Sequence, residues 1–146
     1  MGKVSVLGVG LGAVVDITSS SLLGAPLAFF AASRADLSHL QPEQISTAVR
    51  TAIHSNVPLF AAQMGLGLIG SMFGGIVAAG LANREELLNG ALSSFLCVIL
   101  GATMMVLGKD SNPFWLQILM LIASPLFACL GGALVRRHRR SRLVKV

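Results

Sequence analysis

PLFAAQMGLGLIGSMFGGIVAAGLA, residues 58–82, holds no charged side chain and six glycines. As an α-helix it would extend about 37 Å at 1.5 Å per residue, enough to cross a hydrocarbon core of roughly 30 Å. In water so much glycine weakens a helix by about 1 kcal/mol at each position. In lipid no solvent competes for the backbone, and small side chains let helices approach closely. Two ridges repeat at i+4: Gly70, Gly74, Ala78 and Ala82, and beside them Gly67, Ser71, Gly75 and Ala79. The stretch reads as a membrane span with two packing faces.

Downstream, Asn83, Arg84, Glu85 and Glu86 form a helix start, with Asn83 placed to cap and both acids in the first turn. So short a link predicts an antiparallel hairpin into a third span, residues 84–107. Gly90, Ser94, Cys97 and Gly101 give that span a small-residue face, the expected counterpart of one of the second span's ridges. Residues 109–113, from Lys109 to Pro113, are a turn cluster. A fourth span, 114–135, follows, with Trp115 at interfacial depth, Pro125 at mid-span and Gly131-Gly132 near its end.

Upstream, Ile45, Ala48, Val49, Ala52 and Ile53 recur at helical spacing after Pro42, so 42–54 reads as a short amphipathic helix. Lying in the headgroup plane and docking on the bundle are equally compatible with its small apolar face. The first span is 4–32. Ala31-Ala32-Ser33 suits a signal-peptidase site, but the apolar run is too long for a signal and contains Asp16, so a retained helix is expected. Pro26 is expected to kink its outer third.

The composition fits an all-α polytopic membrane protein: two helical hairpins plus the amphipathic segment form one domain, 1–135, with a basic tail at 136–146. Of 146 residues, 54% are apolar and 12% charged, about half the charged share of a soluble domain. The net charge of +5 is concentrated, since Arg136, Arg137, Arg139, Arg140, Arg142 and Lys145 supply six of eleven basic residues. With no interleaved aromatic residue for base stacking, nucleic acid is not the expected partner. A topology anchor is, with attraction to anionic headgroups of about 1 kcal/mol per basic residue. Four spans then place both termini in the cytoplasm.

Asp16 is the one ionisable residue deep within a span, roughly 18 Å along its helix, where a carboxylate costs about 2.5–3.5 kcal/mol to insert. It reads either as a proton-carrying group or as interhelical glue bonded to serine hydroxyls. Gln63 reads as a packing residue. His39, His54 and His138, like Cys97 and Cys129, lie at no metal-ligand spacing, and no catalytic or cofactor motif is present, so neither enzyme nor cofactor is expected.

The run Gly74-Gly75-Ile76-Val77-Ala78-Ala79-Gly80-Leu81-Ala82, then Leu87 to Leu92 with Gly90-Ala91, together with Val15-Asp16, resembles small uncharacterised bacterial four-helix membrane proteins. In these a Gly-Gly pair closes the second span and a Gly-Ala pair opens the third. The resemblance covers about half the chain and implies a bacterial inner-membrane protein without implying an activity. Two functional expectations result. The first is a non-catalytic assembly or accessory subunit that packs on itself or a larger membrane partner through Gly67, Gly70, Ser71, Gly74, Gly75, Gly90 and Gly101. The second is a small oligomeric proton-coupled transporter or channel working through Asp16, its solute unspecified.

Overall fold

The computed structural model describes residues 4–82, 85–107 and 112–143, with Arg142 and Leu143 described by backbone alone. Six helices follow in order: α1 (Val6–Arg34), α2 (Pro42–His54), α3 (Val57–Leu81), α4 (Glu86–Ser93), α5 (Phe95–Val106) and α6 (Phe114–Leu143). Four segments are long and apolar enough to cross a membrane: α1, α3, α4 with α5, and α6 as far as Ser141. The protein is therefore an all-helical, polytopic membrane protein.

Local chemistry sets several boundaries. The Ser5 side chain caps α1 by accepting from Gly8 N, and Asn56 caps α3 by accepting from Leu59 N at 3.2 Å. α2 starts with Pro42 in its first turn, and Gln44 Oε1 accepts from Gln41 N at 3.1 Å. Its predicted apolar face is its less exposed one, with Ile53 4% exposed, and it rests against α1 and α3. Docking on the bundle is thus the observed arrangement. In the link before α2, the Ser38 hydroxyl at 2.6 Å, helped by the Ser38 amide, holds the Asp36 carboxyl below its ordinary range. α1 runs through Pro26 without interruption.

Three boundaries depart from the sequence reading. The third span is two helices parted at Ser94 rather than one continuous rod. Ser93 Oγ donates to Gly90 O at 2.6 Å and Ser94 Oγ to Ala91 O at 3.0 Å, local bonds that compete with the helical ladder. The fourth helix does not stop at 135 but continues through the basic segment to Leu143, because arginine favours helix. At the start of α4, the N-cap is Glu85 at φ 56°, and its side chain makes no capping bond. Asn83 and Arg84, the expected cap and first residue, lie outside the described residues, as do residues 109–111 of the turn cluster and Lys145.

Contacts define the course of the spans. Along α1 the positions of Gly8, Gly12 and Asp16 meet Ala78, Gly74 and Ser71 of α3 in descending order, so the two helices are antiparallel. α3 and α6 run in the same direction, pairing Ser71 with Ser124, Gly75 with Ala128 and Gly80 with Arg139. α3 is the central helix, packed most extensively on α1 and α6.

The interior is small and polar, and the exterior large and apolar. Buried hydrophobic residues are mostly alanines, among them Ala13, Ala78, Ala79 and Ala128, while the largest fully buried side chains are Asn89, Asp16, Ser93 and Ser94. Leu7, Leu22, Phe29, Phe95 and Trp115 are all more than half exposed. This inversion suits lipid, where backbone approach and hydrogen bonds replace burial of large apolar groups as the source of cohesion. In water such a sheath would be an aggregation surface.

Candidate functional site

Asp16 stands on the inward stripe of α1, made of Gly8, Gly12, Asp16 and Ser20 at four-residue intervals. The absence of side chains at Gly8 and Gly12 brings α1 onto α3. A Cβ at Gly12 would lie 2.7 Å from Gly74 O, and one at Gly74 would lie 2.6 Å from Gly12 O and 2.7 Å from Asp16 Cβ. This approach seats the carboxyl inside the bundle, where Asp16 is 1% exposed.

One carboxyl oxygen is well supported. Asp16 Oδ1 accepts from Ser71 Oγ at 3.0 Å and from Ser20 Oγ at 3.4 Å, and Ser71 Oγ lies 2.9 Å from Ser124 Oγ. Hydroxyls from three helices therefore converge on that side. The other oxygen, Oδ2, is buried and accepts no hydrogen bond of ordinary geometry, and the Cys97 side chain is a neighbour of the carboxyl. The Ser71 bond joins α1 to α3, as expected of a carboxyl that ties helices together.

Above Asp16, toward the end where α1 finishes and α3 begins, the helices part around a cavity of about 640 Å³. Asp16, Ser20, Gln63, Ser71, Cys97 and Gln117 supply polar groups, and Met64, Leu68, Val98 and Leu121 supply apolar wall. The volume falls in the range of small-molecule sites. Gln63 Oε1 and Gln117 Oε1 are also buried without a partner. Gln63, expected as a packing residue, also borders the cavity. Gln117, which carried no signal beyond being polar within a span, is held by donation from Nε2 to Asn112 O at 2.6 Å.

The glycine predictions divide. Gly70, Gly74, Gly75 and Gly90 sit at close helix contacts, and a Cβ at Gly75 would collide with the Ala128 carbonyl. Ser71 joins the network at Asp16. Gly67 makes no close contact within the chain, since a Cβ there meets nothing within 4 Å; it borders the cavity. Gly101 touches only the Leu121 side chain, at 3.0 Å. The second span's ridges face α1 and α6 rather than chiefly the third span, and Gly90 packs on Ala128 and Gly132 of α6. Gly8 and Gly12 were legible as an i+4 pair in line with Asp16, and the sequence reading passed over them.

At the opposite end, Arg139 is not a free headgroup anchor. Its guanidinium donates to Gly80 O and Ala82 O, both at 2.7 Å, and pairs with Glu86 Oε1 at 3.1 Å, tying α6 to the end of α3 and the start of α4. It satisfies carbonyls that a helix end leaves without partners. Glu86 is accordingly an ion-pair partner as well as a first-turn acid. Nearby, Asn89 Oδ1 accepts from Ser5 N at 2.8 Å, which fixes the start of α1. Arg136, Arg137 and Arg140 are exposed, and the Arg142 side chain lies outside the description. Among the described residues no group of His, Cys, Asp or Glu is placed to hold a metal ion.

Comparison with protein-family models, curated proteins and solved structures finds no match to this chain.

Proposed function

We propose that this protein is a small membrane carrier in which Asp16 exchanges a proton for a solute held in the adjoining cavity. The observation that carries the reading is the asymmetry of the carboxyl: Oδ1 is held by hydroxyls from α1 and α3, while Oδ2 is buried without a partner beside a cavity of about 640 Å³. One oxygen fixes the group, and the other is left to bind. A carboxyl that holds either a proton or a donor-bearing solute couples the two movements, and intramembrane carboxyls characteristically mark such pathways.

The accessory-subunit reading drew on a surplus of small-residue surface. Much of that surface is used within the chain, at Gly70, Gly74, Gly75 and Gly90, which moves the weight to Asp16. Placement in a bacterial inner membrane with both termini cytoplasmic is part of the proposal, supported by the basic residues that extend α6.

The test is solute-driven proton movement in proteoliposomes with a trapped pH-sensitive dye, challenged with a panel of small organic cations, anions and neutral polar compounds. The wild type should respond to at least one class, and Asp16→Asn should lower the response at least about tenfold while inserting normally. No response above empty liposomes across the panel, or an undiminished response in Asp16→Asn, would overturn the carrier reading.

A further inference from the structure

We infer that the cavity beside Asp16 takes a linear soluble amine, with its ammonium group on Asp16 and a second hydrogen-bond donor on Gln63 and Gln117. The inference rests on the same cavity as the carrier reading, and it concerns binding, so it can stand or fall without transport.

Three residues that line the cavity each carry a buried side-chain oxygen without a hydrogen-bond partner: Asp16 Oδ2, Gln63 Oε1 and Gln117 Oε1. All three are acceptors. A ligand that satisfies them must supply N–H or O–H groups, and Asp16, the one acidic residue among the described lining residues, favours a cation when it is ionised. The amide orientation at Gln117 is set by its donation to Asn112 O, which leaves the oxygen as its remaining polar group.

The acceptors occupy two levels. Ser71 and Ser124 lie at the depth of Asp16. Gln63 is eight residues before Ser71 on α3, and Gln117 seven before Ser124 on α6. At 1.5 Å per residue the upper level is roughly 10–12 Å from the lower. Met64, Leu68, Val98 and Leu121 also line the cavity, supplying apolar wall. The pattern of charge at one end, methylene-compatible wall, and neutral acceptors at the other describes an extended chain with donors at both ends. Among the described residues no basic side chain lines the cavity, so none of them offers a partner to the phosphate of an aminophospholipid.

Purified protein in mild detergent is titrated calorimetrically with 1,8-diaminooctane, whose nitrogens are about 11 Å apart when extended. Octylamine, octanoate and dihexanoylphosphatidylethanolamine are compared with it, and each titration is corrected against empty micelles. The expected order is diamine first, octylamine about fivefold to tenfold weaker, and the other two without saturable binding. Asp16→Asn should weaken both amines at least about tenfold. The double variant Gln63→Met and Gln117→Met, which keeps side-chain length, should erase the advantage of the diamine and leave octylamine unchanged.

Octanoate or the phospholipid binding as tightly as the diamine would overturn the assignment to a soluble amine. So would amine binding that survives Asp16→Asn, or a diamine advantage that survives the double glutamine variant. Amine binding without any proton movement in liposomes would uphold this inference and remove the carrier reading. Proton movement driven by another solute class, with no amine binding, would do the reverse.

Discussion

Around Gly12, Gly74 and Ala128 the four spans touch backbone to backbone, whereas one turn beyond Asp16 they part around a cavity. Both regions are rich in small residues, so composition alone does not decide which part closes. Gly75 and Gly67 lie on the same ridge of α3, yet a Cβ at Gly75 runs into the Ala128 carbonyl and one at Gly67 meets open space. The difference arises from the neighbours. At the closed end Arg139 draws α6 onto the ends of α3 and α4, and Asn89 binds the start of α1. α4 buries Asn89, Gly90 and Ser93, while α5, beyond the break at Ser94, has no fully buried residue. The third span therefore packs less closely where the cavity begins.

The largest effect should come from filling the closed end. Gly75→Leu forces a side chain against backbone that cannot rotate away, with an expected cost of about 3 kcal/mol or more. Loss of monodisperse protein on size exclusion in detergent would register it, and a variant with normal yield and unfolding midpoint would break the comparison.

An intermediate effect is expected at the tie itself. Arg139→Gln removes an ion pair and two bonds to helix-end carbonyls. Because its side chain is 38% exposed, the pair with Glu86 is discounted, and the total should be about 1–2 kcal/mol. Glu86→Gln leaves the carbonyl bonds and should cost less than about 1 kcal/mol. Thermal unfolding in one detergent, with both variants side by side, separates the carbonyl contribution from the ionic one. Equal losses would mean that the ion pair carries the tie.

The smallest effect should be at Gly67. Replacing glycine by alanine in open space within a helix gains about 0.5–1 kcal/mol, so Gly67→Ala should unfold slightly later than the wild type. A destabilised Gly67→Ala would place this glycine at a contact and erase the distinction between the two regions.

The four spans, the amphipathic helix and the inward importance of Asp16 were legible because hydropathy, helical spacing and a lone buried charge are local signals. Register was not. Which neighbour each ridge meets depends on how four helices settle together, so the ridges containing Gly70 and Gly75 were readable while their partners on α1 and α6 were not. Arg139 looked identical to Arg136, Arg137 and Arg140 because its role exists only where the continued α6 passes the end of α3. Gln63 and Gln117 were visible as polar residues within spans, but whether such a group packs or lines a cavity is decided by helices distant in sequence. The break at Ser94 had a local cause, two adjacent serines bonding back to carbonyls, yet serine pairs are common enough in helices to pass as continuous.

The contrast between a sealed and a cavity-bearing half is measured most directly by thiol accessibility in membranes. In a background with Cys97→Ser and Cys129→Ala, Ser20→Cys on the cavity and Ser93→Cys in the closed half are near-isosteric replacements at sites of opposite surroundings. A membrane-impermeant methanethiosulfonate should modify Ser20→Cys at least about tenfold faster than Ser93→Cys, and from one face of the membrane only. Equal rates at the two positions, or modification of Ser93→Cys alone, would contradict the account.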